Sequence, residues 1–337
     1  MAVDDRTRQD GLEQGIRVMR TPPRRSVLLG LGSAAAAGLG PQACAPALRS
    51  PAGDAVAAGQ PAALLIWAVA RERLAAWPRK PDAACLAALP APAAGLPETG
   101  ALAGGGGRPA SPEVIAALKP RLIIDYGDAD SEHRGLAARM RTRLGVEWRL
   151  IDGALPRIPD AFREAGRLLG AVDRGANLAD AAAEVIERWR QAPPGPAFYY
   201  ARGADGLETG FRGALATEVL EGAGWTNVAE GSRDIGRVTR EQVVAWDPEA
   251  IVTLDPAFAR AAADDPLWRR RRDGSRRRLL LLPEIPFGWI DRPPSVNRLL
   301  GCAWLADPEA AWMALARLSR SLYGLAPGEV PRPRWIP

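Results

Sequence analysis

Two stretches of the chain align without a gap. ASPEVIAALKPRLIIDYGD (110–128) and VTREQVVAWDPEAIVTLDP (238–256) put Ser111 on Thr239, Glu113 on Glu241, Pro120 on Pro248 and Ile123–Ile124 on Ile251–Val252, always 128 residues apart. Each copy carries the same physical instruction. Ser111 or Thr239 is a helix N-cap, and the glutamate two positions on sits in the first turn, where the helix dipole favours an anion. A short helix follows, halted by the proline, and then an apolar run of strand length. A helix that delivers a strand, written twice in one chain, points to two α/β lobes of related build.

Other segments fit that frame. PAALLIWAVA (61–70), VEWRLID (146–152) and PAFYYA (196–201) are apolar runs of strand length. Between the two copies, IPDAFREAGRLLG reads as helix. So does NLADAAAEVIERWRQ (177–191), whose Leu178, Ala181, Ala182, Val185, Ile186 and Trp189 form one stripe. The expected layout is an amino-terminal lobe over 58–155, a helical connector over 156–192, a carboxyl-terminal lobe over 193–325 and a tail over 326–337. A connector that is a single helix allows only a small closing motion between lobes.

The chain has 337 residues, enough for two domains, and its 47% hydrophobic and 25% charged residues are those of a globular protein. The net charge is only +5. The one dense basic run, WRRRRDGSRRR (268–278), contains a turn signal and precedes an apolar strand, so it reads as a solvated hairpin and not as a nucleic-acid surface. His133 is the only histidine, in a polar helical stretch, and Cys44, Cys85 and Cys302 are dispersed. That removes the usual histidine-based triads and any zinc spacing, and the chain reads as non-catalytic. GGGGRPAS (104–111) lacks the Lys-Ser/Thr of a phosphate loop and reads as a flexible surface loop.

The amino terminus reads as an address. TPPRRSVLLGLGSAAAAGLGPQACAP (21–46) carries the pair Arg24–Arg25, then a Gly/Ala-rich apolar stretch and small residues. This is the layout of an export signal of the twin-arginine kind, too short to span a membrane. Residues 1–57 are assigned to the signal and a flexible segment, with cleavage after Ala45 or Ala57. A lipid anchor on Cys44 is the less favoured alternative, because Pro41 stands where such a motif wants Leu. Cys85 and Cys302 would remain, able in principle to pair outside the cytoplasm.

PFGWIDRPPSVNR (286–298) is the stiffest segment of the chain. Pro293 and Pro294 forbid a core strand, and Val296, Leu299, Leu300, Ala303 and Trp304 mark a helix beginning just after them. It is a rigid loop feeding a helix, of the kind that serves recognition. The blander reading is a prolyl turn over a buried Trp.

Taken in order, AWPRK, SPEVIAALKPRLIIDYG, LGVEWRLIDG, FYYARGADGLETG, TREQVVAWDPEAIVTLDPAFA and PFGWIDRPPSVNRLLG resemble the ABC-importer substrate-binding proteins of the iron–siderophore, haem and cobalamin class, in the iron-complex and molybdate-like branch. The resemblance implies two Rossmann-like lobes joined by one long helix, with a ligand held between them. It implies ligand contacts from Trp77, Arg79, Lys80, Tyr126 and Gly127 on one lobe. From the other it implies Arg202, Gly203, Glu208, Thr209, Trp289, Asp291 and Arg292. Glu113 and Glu241 would dock onto the permease, which works with its ATPase. The implied location is the periplasm or another extracytoplasmic space, the implied state a monomer, and no cofactor is implied. The cargo would be an iron chelate or a metal oxyanion such as molybdate or tungstate, and less readily cobalamin or haem, for which Tyr126, Tyr199 or Tyr200 would have to replace histidine. An exported enzyme or a sensor on the same scaffold is the rival reading. GCAWLADPEAAW and the glycine run are where the chain departs from the class.

Overall fold

The computed structural model describes residues 53–103, 108–128, 131–309 and 311–337. The segment expected to be an export signal and Cys44 lie outside the described residues. No helix among the described residues is long and apolar enough to cross a membrane.

The amino-terminal lobe runs β1 (Ala55–Ala57), α1 (Gln60–Ala70), α2 (Ala83–Ala88), α3 (Pro92–Gly95), α4 (Pro112–Ala117), β2 (Leu122–Gly127), α5 (Ser131–Leu144) and β3 (Glu147–Asp152). Its three strands lie in the order β1-β2-β3, all parallel, with Ala55 opposite Leu122 and Leu122 opposite Glu147. The apolar run 61–70, expected as a strand, is helix α1 instead. Pro61 opens it in the first turn, alanines and leucines dominate it, and every residue from Ala62 to Ala70 is buried. A helix apolar on every side belongs in a core, and a run of that length satisfies strand and helix alike until packing decides. The strand role falls to the three small residues before it. Cleavage after Ala57 would therefore remove β1, whose side chains are buried. The expected lobe boundary at residue 58 moves upstream of Ala55.

Two helices follow, α6 (Ile158–Leu169) and α7 (Val172–Arg190). Gly170 turns the chain between them with φ 71°, and the helices cross where a Cβ on Gly175 would lie 2.6 Å from the Phe162 carbonyl oxygen. Helix α6 packs on α1 and β3 of the first lobe; α7 alone continues to the second. There the Trp189 ring lies over Gly222 and its Nε1 donates to the Val219 carbonyl at 2.9 Å.

The carboxyl-terminal lobe runs β4 (Ala197–Ala201), β5 (Glu208–Gly210), α8 (Glu218–Gly222), β6 (Thr226–Asn227), β7 (Ile235–Arg237), α9 (Arg240–Trp246), β8 (Ala250–Thr253), α10 (Pro256–Ala262), α11 (Pro266–Arg269), β9 (Arg278–Leu281), α12 (Arg298–Ala306), α13 (Trp312–Tyr323) and β10 (Arg334–Ile336). Its main sheet is ordered β10-β9-β8-β4-β6, parallel except for β10; β5 and β7 form a separate antiparallel pair. The segment expected as a tail thus supplies the edge strand β10. Trp335 anchors it by stacking on Trp225, with the Arg278 guanidinium 3.9 Å from its ring centre.

The repeat survives in three dimensions. Ser111 Oγ accepts from the Val114 N–H, and Thr239 forms a reciprocal capping box with Gln242. Both helices end in a left-handed residue just before the proline, Lys119 at φ 49° and Asp247 at φ 45°. Each then delivers a strand, β2 or β8, with parallel neighbours on both sides.

The arginine run forms the expected hairpin, with Arg270 bridged to Arg276. It is not wholly solvated. Arg277 is buried and donates to the Pro248 and Leu267 carbonyls and to Asp247 Oδ1.

The last helices bind the lobes together. Helix α12 lies along α7 and α13 returns to α1. Arg174 donates to the Ala68 carbonyl at 2.8 Å and the Ser321 carbonyl at 2.7 Å. Arg298, fully buried, bonds Glu218 of one lobe and the Gly153 carbonyl of the other. Burial pushes the Glu218 carboxyl above its ordinary value, although Arg298 opposes the shift.

Candidate ligand-binding cleft

A cleft of about 920 Å³ opens between the lobes. It collects the loops that follow the carboxyl ends of β1, β4 and β9, where open α/β sheets present ligand sites. Gln60 and Pro61 come from the start of α1, Arg79 and Lys80 from the loop beyond it, and Arg202 from the end of β4. The far wall is the loop Glu284–Pro294.

That loop is held from behind. Asn297 Nδ2 donates to the Gly288 and Pro293 carbonyls, and its Oδ1 accepts from the Ser295 N–H at 2.9 Å. Ser295 Oγ reaches across to the Pro61 carbonyl of the opposite lobe at 2.7 Å. Gly288 is required, because a Cβ there would lie 2.3 Å from the Asp291 carbonyl oxygen. Arg292 sits at φ 62°, a conformation that costs a non-glycine residue about 1–2 kcal/mol and that clusters at functional sites.

The wall charges are largely answered within the wall. Asp291 is buried, accepts from the Tyr200 hydroxyl at 3.3 Å and lies 3.4 Å from Arg202 Nε. Arg202 Nη1 is 3.4 Å from Glu208 Oε1, and Arg292 Nη1 is 3.1 Å from Glu284 Oε1. Burial opposes the Arg292 charge, yet the Glu284 and Asp291 carboxylates around it hold the guanidinium above its ordinary value. Burial, and then Asp291, push the Tyr200 hydroxyl well up, so it stays a neutral donor. Cys85, half-buried on α2, also lines the cleft; burial and Asp82 push its thiol up to about 12. Cys85 and Cys302 are both free thiols, so the two do not pair.

Of the twelve residues assigned to the ligand, five line this cleft: Arg79, Lys80, Arg202, Asp291 and Arg292. The others lie behind it. Trp77 is buried, donates from Nε1 to the Ala93 carbonyl at 3.0 Å and packs between Trp67 and Phe287. Trp289 is buried beneath the prolyl loop, the blander of its two readings. Tyr126 is buried in β2, and Gly127 lies against Gly153, whose added Cβ would sit 2.8 Å from the Gly127 Cα. Gly203 makes the turn after Arg202 at φ 76°, Glu208 faces Arg202, and Thr209 is buried. ARGADGLETG therefore builds the support that fixes Arg202. Tyr199 and Tyr200 are buried as well, so none of the three tyrosines considered as haem ligands lines the cleft. Sequence reasoning passed over Leu215, Ile235 and Ile285, single aliphatic residues among small and polar neighbours, which the fold brings to the same cleft.

Glu113 and Glu241 stand exposed in the first turns of α4 and α9. In each, the residue's own backbone N–H and then the capping hydroxyl hold the carboxyl below its ordinary value.

Comparison with solved structures adds the fold's relatives. An ABC transporter solute binding protein from Sulfurospirillum deleyianum superposes with a TM-score of 0.71 at 22% identity, over 82% of this chain and 92% of that one. The fold is that of the two-lobed periplasmic binding proteins. The molybdate periplasmic binding protein of Haemophilus influenzae follows the same course with a TM-score of 0.61 at 16% identity, over 84% and 95%. The periplasmic vitamin B12 binding protein of Vibrio cholerae does so at 0.55 and 20%, over 80% and 99%. No family model matches the sequence, and no curated protein matches it.

Proposed function

We propose that the protein is the extracytoplasmic substrate-binding component of an ABC importer, taking an iron chelate of the ferric siderophore type into the interlobe cleft and delivering it to a permease. The observation that carries the reading is the cleft itself: about 920 Å³, built from both lobes across a fixed connector. That volume is near the upper end of the ~300–1,000 Å³ of organic-ligand sites. Its lining holds four basic side chains (Arg79, Lys80, Arg202, Arg292) and four acidic ones (Asp82, Asp234, Glu284, Asp291). A bare oxyanion would be better served by a surplus of donors. Among the described residues no group of three His, Cys, Asp or Glu side chains is placed to hold a metal, so iron would have to arrive with its own ligands. Haem is disfavoured because the tyrosines that would ligate it are buried elsewhere.

The second reading, a molybdate or tungstate carrier, is favoured by the likeness to the molybdate-binding protein. In either case the role is capture and handover, not catalysis, by a monomer exported through its arginine-pair signal. Glu113 and Glu241 mark the permease-facing surface, because equivalent first turns on two lobes suit a two-fold partner.

A melting scan tests the choice. An iron chelate at a hundredfold excess over its dissociation constant is expected to stabilise the protein by about 2.7 kcal/mol. A shift with molybdate alone would overturn the iron reading in favour of the oxyanion.

A further inference from the structure

Seven large apolar side chains are substantially exposed among the described residues: Val172, Leu215, Ile235, Val244, Ile285, Met313 and Trp335. Scattered singly they would need no explanation. Three of them, Leu215 at 43%, Ile235 at 40% and Ile285 at 39% exposure, come from separate segments and meet in the one cleft, all on the carboxyl-terminal lobe. The charges of that wall do not compete for an anion, since Arg202 faces Asp291 and Glu208 while Arg292 faces Glu284. The opposite wall differs. Arg79 and Lys80 are exposed and in no ion pair among the described residues; Lys80 Nζ spends one donor on the Ala94 carbonyl, at 2.7 Å.

We infer that the cargo is amphiphilic and enters in one orientation, its apolar face on Leu215, Ile235 and Ile285 and its anionic edge toward Arg79 and Lys80. The inference rests on the transport reading and narrows it: a metal complex whose chelator carries aromatic or aliphatic rims fits both walls, while one made of carboxylates alone fits only the second. Water displaced from three exposed aliphatic side chains supplies affinity, and the two unpaired cations supply direction.

Three probes separate the possibilities: the ferric complex of 2,3-dihydroxybenzoate, ferric citrate, and molybdate. Equilibrium dialysis gives affinities. Alkylation of Cys85 is slow, because burial and Asp82 hold its thiol up at about 12, and is therefore scored by peptide mass against its rate in the free protein. It reports whether the cleft itself is filled, since Cys302 is buried and Cys85 lines the cleft. The aromatic complex is expected to protect Cys85 and to bind at least tenfold more tightly than ferric citrate. Leu215→Ser with Ile285→Ser should weaken the aromatic complex at least tenfold more than ferric citrate and so erase that preference. Arg79→Gln with Lys80→Gln should weaken both complexes together. All four positions face the cleft at the surface, and unchanged melting temperatures of the free variants verify their folding. An equal affinity for the two iron complexes, or a preference that survives the serine pair, overturns the inference while the transport reading stands. Failure of all three probes to bind or to slow Cys85 alkylation would overturn the iron-chelate and molybdate readings, and this inference with them.

Discussion

In the amino-terminal lobe the repeated helix stops at Lys119, an exposed left-handed residue whose N–H bonds only the Ala116 carbonyl. In the carboxyl-terminal lobe the matching residue is Asp247, in the same conformation but held on several sides. Its carboxylate accepts from Arg277 at 2.8 Å and from the Arg272 N–H at 3.1 Å, and lies 3.5 Å from Arg271. Burial pushes the Asp247 carboxyl up, but Arg277, the Arg272 N–H and Arg271 together bring it below its ordinary value. The strands differ in the same sense. Asp125 in β2 is buried and pushed above its ordinary value by desolvation, where β8 has the neutral Thr253. One backbone solution has therefore been secured in two ways, by geometry alone in the first lobe and by a buried guanidinium in the second.

The equivalence of the copies is tested most severely at their first turns. Glu113→Lys with Glu241→Lys is expected to abolish uptake of cargo by membrane vesicles carrying the permease while cleft binding is retained. Uptake that persists in the double variant would remove docking from these helices. The difference between copies is sharpest at Arg277. Its replacement by Ala strands Asp247 and two carbonyls, and should cost about 3–5 kcal/mol in urea unfolding. A loss below about 1 kcal/mol would mean the anchor carries no load. The smallest effect has opposite signs in the two lobes. Lys119→Gly relieves a left-handed residue and should stabilise by about 1 kcal/mol, whereas Asp247→Gly relieves the same angle but deserts Arg277 and should destabilise. Stabilisation in both would show that the backbone angle outweighs the anchor, and destabilisation in both that the angle costs lysine little.

These contrasts mark where sequence reasoning reached and where it stopped. The caps, the prolines and the stiff loop 286–298 are local chemistry and are present. The connector stripe is present in part, since α7 begins at Val172 and buries Ala179, while Ala181 and Val185 are half-buried. What failed depended on packing. Residues 61–70 have a composition that serves strand or helix, and β1 is three small residues with no pattern of their own. Trp77 and Trp289 look like a ligand's walls in one dimension, yet each has a core to fill. Arg277 is one arginine among seven in its run, and only the fold selects it and Arg269 for burial. Leu215, Ile235 and Ile285 carry no signal until the loops that hold them converge.

Arg298 and helix α13 have a consequence for how the protein comes into being. Phe287 and Tyr323 pack on each other beside Trp77, so the core of the first lobe includes residues from the far end of the chain. The guanidinium that joins Gly153 to Glu218 is also encoded late. A nascent chain leaving the ribosome thus exposes its first lobe well before the parts that finish it exist. The cleft cannot form progressively during synthesis, and a chain stalled short of Arg298 lacks the pin between its two walls.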